Sequence, residues 1–227
     1  MSALDQTAMT FIDTPYQGGT LDTGAVERLV FRTDVFDCMT LVEMCLAMVY
    51  AKKKRKSVAE TLEYIRYRGG KKDGFSSRLH YALDWIHDNE QKGILKNITA
   101  DLKGIETTKE INFMTTHTML YPRLVGAHIK KMAHTEKILS SHPFFMIPPY
   151  RFDRAIKKIK DGDIVFFTTN AIGLDTAHVG IAHKTKAGMT FIHASSLLGK
   201  VVMHEGTIAD YCQKMKNVSG LIVCRPA

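Results

Sequence analysis

From Cys38 to Ala51 the chain is almost continuously apolar, broken only by Thr40 and Glu43. Such a run has to be buried, and it is shorter than the roughly 20 residues that a membrane-spanning helix needs. Cys38, Leu41, Val42, Cys45 and Val49 recur on one face at helical spacing, which predicts a buried helix with the Cys38 thiol in its first turn. Unpaired N–H groups and the positive end of the helix macrodipole favour the thiolate there, the nucleophilic form. A solitary cysteine in apolar surroundings is more often structural. Cys38 therefore gains chemical meaning only if the rest of the chain supplies a base.

The residues before it, 1 to 36, carry little periodicity, and Thr14-Pro15-Tyr16-Gln17-Gly18-Gly19-Thr20 reads as an extended surface loop. After it, Ser57 and Glu60 form a capping box ahead of Val58, Leu62 and Ile65, a second helix ended by Gly69-Gly70. A third helix is expected from Ser77 to His87, with Leu79, Ala82, Leu83 and Ile86 inward. Arg78, Tyr81 and Trp85 would share a neighbouring face, either as edge packing or as the wall of a polar cleft. Between residues 88 and 160, Gly93 to Thr99 is strand-like and Arg123 to Leu139 helical through Val125, Ile129 and Met132. Pro143 to Tyr150 is a helix-breaking connector.

From Asp161-Gly162-Asp163 onward the texture is β-rich. Runs at 164–168, 178–183, 189–195, 201–204 and 221–224 predict an antiparallel sheet of about five strands with turns at Gly173, Gly188 and Gly199. Helices first and strands second is an α+β order. A turn centred on Lys186-Ala187 places residue 180 opposite residue 193, so His178 lies one diagonal step from His193 on the same face. Cys38, His178 and His193 then suit the roles of nucleophile, base and orienter. His178 and His183 have opposite parity on a strand, which argues against a shared metal. The other histidines, His80 among them, read as surface or packing residues.

Composition sets the outer limits. A 45% hydrophobic share with 24% charged residues is ordinary for a globular chain and excludes disorder and coiled coil. The net charge of +8 is compatible with an anionic polymer, but Lys52 to Lys56 reads as solvated cations at a helix C-terminus, and no aromatic interleaving points to nucleic acid. The four cysteines lack zinc spacing. Cys38 and Cys45 stand about 10 Å apart along a helix and cannot bridge, whereas a Cys212–Cys224 pair is left open. The N-terminus lacks the basic start and apolar core of a secretory signal.

Four blocks carry a resemblance: Phe36-Asp37-Cys38-Met39-Thr40-Leu41-Val42-Glu43, Asp161-Gly162-Asp163-Ile164, His178-Val179-Gly180-Ile181 and Phe191-Ile192-His193-Ala194-Ser195-Ser196. In order and spacing they resemble the NlpC-type branch of the papain-like cysteine peptidases. Within it the chain is similar to the N-acetylmuramoyl-L-alanine amidase-like family, through Thr14-Pro15-Tyr16, Gly19-Thr20-Leu21, Arg78-Leu79-His80-Tyr81, Asp84-Trp85-Ile86 and Gly173-Leu174-Asp175. Asp13 departs from the family's usual glycine, and Pro148-Pro149-Tyr150-Arg151 from a Tyr-Ile-Pro pattern.

The resemblance implies one amidase domain over residues 1–227 with 88–160 as an elaboration forming part of the cleft. It implies hydrolysis of the amide between N-acetylmuramic acid, in its 1,6-anhydro form, and L-alanine, with Cys38, His178 and His193 catalytic. Tyr16, Asp37, Arg78, Trp85, Asp175, Thr176 and Ser195 would bind substrate, and no metal or cofactor would be needed. Muropeptides would be the partners, with no nucleic acid, no membrane insertion and a monomer favoured. The location would be the cell envelope if a signal has been removed, and the cytoplasm otherwise. Alternatives are a γ-D-glutamyl endopeptidase using the same residues, a non-catalytic cell-wall binding module, and a basic nucleic-acid binder.

Overall fold

A computed structural model describes residues 1–22, 24 and 26–227. Its elements in chain order are α1 (Ala3–Met9), α2 (Cys38–Lys54), α3 (Val58–Arg66), α4 (Ala82–Gln91), β1 (Leu95–Asn97), β2 (Ile105–Thr107), α5 (Phe113–Thr116), α6 (Ala127–Ser141), β3 (Phe144–Met146), α7 (Phe152–Ile156), β4 (Ile164–Thr169), β5 (Thr176–Thr185), β6 (Gly188–Ser195), β7 (Lys200–Met203), α8 (Ile208–Lys214) and β8 (Val218–Pro226). The class is α+β. The five expected strands are present, but the antiparallel sheet has six, in the order β1-β8-β4-β5-β6-β7. The sixth comes from the middle of the chain, where Leu95 pairs with Pro226 and Asn97 with Cys224.

Strand alternation divides the core into two layers. Phe166, Val179, Ile181, Ile192, Ala194 and Ile222 face the helices, where Leu41, Val42 and Cys45 of α2 meet them. Phe167, Ala182, Phe191, Leu221 and Val223 face the opposite way and are covered by α7 and α8. All of β4 is buried. A third cluster, with Phe75, Tyr81, Ile111, Met114, Leu124 and Met132, joins the segment before α4 to the middle of the chain.

Four local expectations are corrected. The third helix starts at Ala82, not Ser77. Tyr81 provides no side-chain cap, and the Leu83 N–H is accepted instead by Asp175 Oδ2 at 2.8 Å, so a residue far along the chain fixes the start. Arg78 is extended, bridged to Tyr67, and shares no helix face with Trp85. The helix expected from Arg123 begins at Ala127, and of its stripe only Met132 is buried, with Val125 ahead of α6 and Ile129 within it exposed. The Pro143–Tyr150 connector contains β3, which pairs with β2. The α3 capping box is as expected.

Ahead of α2, the irregular segment is fastened by buried ions. Arg66 donates to Glu43 at 2.7 Å and to the Val30 carbonyl at 2.6 Å. Glu27 forms an ion pair with Arg123 at 2.7 Å and accepts from the Tyr67 hydroxyl at 2.8 Å. Breaking one partner of such a buried pair costs several kcal/mol, about 3–5, because a charge is stranded. Among the described residues no helix is long and apolar enough to cross a membrane.

Candidate active site

The start of α2 is set locally. Asp37 is extended, its Oδ1 accepts the Thr40 N–H at 2.8 Å, and the Asp37 N–H donates to the Thr40 hydroxyl at 2.9 Å. Cys38 is thereby fixed as the first helical residue. Its thiol is not acidic. Burial dominates and the Asp37 carboxylate adds to it, while the N–H groups of Val179, Met39 and Cys38 only partly offset them, so the thiol is pushed up to about 12. The expected helix-start thiolate is corrected: the dipole is present, but enclosure and a neighbouring anion outweigh it.

The candidate base lies on the β5–β6 hairpin, whose connection is Lys186-Ala187, with Thr185 opposite Gly188 and Ile181 opposite Ile192. The same register sets Gly180 against His193 and His178 on the diagonal. The rings meet: His178 Nε2 lies 2.7 Å from His193 Nδ1, with the ring planes at 86°. Gly180 makes room for this, since a Cβ there would stand 2.5 Å from Phe191 Cδ2 and 3.4 Å from His193 Cβ. Burial lowers His178 to about 4, with the charge of His204 adding to the effect. Burial, then the charges of His178 and His204, lower His193 to about 3. Both imidazoles are neutral at pH 7.

The β5–β6 pairing stops at Ile181–Ile192, and just beyond it the Val179 N–H acts to lower the Cys38 thiol. Cys38 and His178 line one cavity of about 210 Å³. Asp175 and Thr176 line it too, as do Tyr81, Met114 and Tyr121. The carboxylate of Asp175 is already occupied by the N–H groups of Leu83 and Thr176, and burial raises its pKa. Tyr16 is pinned by its N–H to the Gly199 carbonyl and is bridged to Phe36, and its phenol is raised by burial and by the charges of Cys38 and Asp37.

Other expected contacts are not where a ligand could use them. Trp85 is fully buried against Phe166, so its ring belongs to the core and not to a cleft wall. Arg78 is buried with its guanidinium on the Leu21 carbonyl and the Asp22 carboxylate, holding the segment ahead of α2. Ser195 accepts the Leu198 N–H at 3.2 Å and closes the β6–β7 turn.

Sequence reasoning passed over His80, which lines the cavity with Nε2 on the Phe75 carbonyl at 2.9 Å and is lowered to about 3, chiefly by burial. It also passed over Tyr211, whose ring stands against both candidate histidines. The Arg78-Leu79-His80-Tyr81 block is a signal for His80, whereas Tyr211 reaches the site only through tertiary packing. His183 joins Asp5 at 3.0 Å on the helix side, and together with Asp161 these ligand atoms lie within 4.8 Å of one another, away from the thiol cavity. Cys212 and Cys224 are free thiols.

The chain is similar over its length to solved amidases. A structure of an N-acetylmuramoyl-L-alanine amidase from Bacteroides uniformis is 35% identical, with a TM-score of 0.94 over 99% of this chain and 97% of that one. A Bacteroides fragilis protein provisionally described as a xylanase is also 35% identical, with a TM-score of 0.90 over 97% and 99%. A Legionella pneumophila protein, 22% identical, shares the fold with a TM-score of 0.75 over 99% and 88%. No curated protein sequence matches significantly. The profile of the AmiA-like family, N-acetylmuramoyl-L-alanine amidase-like, matches residues 6–221, and the chain belongs to that family.

Proposed function

We propose that this cell-wall amidase is cysteine-dependent and cleaves the bond between N-acetylmuramic acid, in its 1,6-anhydro form, and L-alanine in muropeptides. The observation that carries the reading is the meeting of Cys38 and His178 at one cavity, with His193 bonded behind His178. A helix-borne thiol followed by sheet-borne imidazoles is the papain-like, NlpC-type order, and residues 1–227 are read as one such unit. A cavity of about 210 Å³ suits the terminal sugar of a released fragment. Such fragments arise in the cell envelope, which is where we place the reaction.

With thiol and imidazole both neutral, attack and proton transfer go together. The Cys38 sulfur bonds the lactyl carbonyl carbon as its proton passes to His178 Nδ1, the ring nitrogen not bonded to His193. His178 Nε2–H donates to His193 Nδ1, which holds the ring and stabilises the imidazolium. The Cys38 N–H and the Tyr16 hydroxyl would receive the oxyanion, each donor being worth about 3 kcal/mol in such a site. Collapse breaks the C–N bond, His178 protonates the departing L-alanine amine, and water deprotonated by His178 releases the thioester and restores the thiol.

A glycosidase reading, raised by the xylanase description of one neighbour, lacks its chemistry. Glycoside hydrolysis needs two carboxyl groups across the bond, and among the described residues Asp175 is the single carboxylate lining the cavity. The deciding experiment is incubation with defined muropeptides, with and without the anhydro sugar, followed by mass spectrometry. Release of an intact stem peptide with a free L-alanine amine supports the amidase. Cleavage within the stem favours the γ-D-glutamyl endopeptidase, and no cleavage by the parent protein overturns the enzyme reading. Turnover that survives Cys38→Ala removes the cysteine mechanism.

A further inference from the structure

The sheet face that carries the two histidines is covered by α8, and Tyr211 is the buried α8 residue that stands against them. Its ring centroid lies 4.7 Å from Phe167, 5.0 Å from Phe191 and 5.1 Å from His204. It lies 5.9 Å from His178 and 6.2 Å from His193. One ring thus contacts both imidazoles and the three rings that flank them. The phenol is raised to about 12, by burial first and then by the charges of Cys38 and Cys212, so it stands within electrostatic reach of the thiol. Among the described residues its hydroxyl makes no hydrogen bond to protein.

We propose that Tyr211 is a positioning residue of the His178–His193 pair: its ring closes the sheet face over both imidazoles, holding them dry and at a fixed mutual angle. A hydrogen bond in such enclosure is electrostatically stronger than one in water, and exclusion of water keeps solvent from protonating the base. Phe167 stands against His178 alone, and Phe191 stands against all three histidines but from within the sheet itself, so Tyr211 is the ring that a separate element, α8, lays over both imidazoles. The titratable groups facing the pair are Cys38 from α2, His204 after β7, and Tyr211 itself. Lys214, Asp210 and Glu205 act one step removed, through His204. The catalytic meaning rests on the cysteine amidase reading, whereas the physical arrangement does not.

The test is a histidine NMR titration of the parent protein and of Tyr211→Phe, Tyr211→Leu and Tyr211→Ala. The parent and Tyr211→Phe are expected to titrate His178 near 4, whereas the Leu and Ala variants shift it up toward the ordinary 6.5. The acid limb of kcat/KM should move with it, with kcat falling and KM held. Unmoved midpoints in the Leu and Ala variants overturn the proposal, as does a Phe variant that shifts as far as Ala. If the Leu and Ala variants do not fold, the parent decides. The N–H between the two rings must exchange slowly with solvent at neutral pH, and fast exchange overturns the proposal. The titration needs no substrate, so a parent protein that titrates as expected but cuts no muropeptide overturns the amidase reading alone.

Discussion

At Cys38 the competing influences can be ranked. Burial and the Asp37 carboxylate raise the thiol, and three backbone N–H groups oppose them and lose. Alkylation of Cys38 at pH 7, followed by peptide mapping, should therefore be slow and quicken as the pH climbs. Asp37→Asn keeps a good helix cap and removes the anion, so the thiol should become more acidic and alkylation at pH 7 faster. An unchanged or slower rate would show that Asp37 does not govern the thiol. Cys38, His178 and His193 are legible in the sequence because each sits inside a regular element whose period fixes its direction. Trp85 is not, since periodicity gives its face but not what covers that face. Truncating this buried ring to alanine should cost about 3–5 kcal/mol in denaturant unfolding, which a residue lining an open cleft would not.

Among the elements, the β5–β6 hairpin carries the most. Its two-residue connection fixes the register, and a two-residue turn signal is local, which is why the His178–His193 diagonal can be worked out before any fold is seen. Gly180 is the close-packed point of that register. Gly180→Ala should push Phe191 and its neighbour His193 aside, costing about 1–3 kcal/mol and lowering turnover by more than the stability loss explains. Wild-type turnover in that variant would mean the imidazole pair tolerates displacement. The start of α4 is the opposite case, hidden from sequence because its capping carboxylate is Asp175, 92 residues from the Leu83 N–H it accepts. Asp175→Ala should lower stability by about 1 kcal/mol through the lost cap, and it should open one wall of the thiol cavity.

Across the whole molecule, protonation and topology meet. His178, His193 and His80 hold depressed values of about 4, 3 and 3 when folded, against 6.5 when unfolded. The unfolded chain therefore binds more protons in that window, and the stability contributed by these neutral imidazoles is lost as the pH falls from about 6.5 toward 4. Thermal unfolding should show a Tm that declines over that interval, and a flat Tm would mean the rings are hydrated in the folded state. The sheet order has a consequence in time. β8, the last strand, lies between β1 and β4, with Ile222 and Cys224 on one core face and Leu221 and Val223 on the other. Until it leaves the ribosome, β1 has no partner in the sheet and β4 lacks a neighbour on one side. Chains halted at Asn217 should stay protease-sensitive with an unassembled site, so assembly of the site waits for β8.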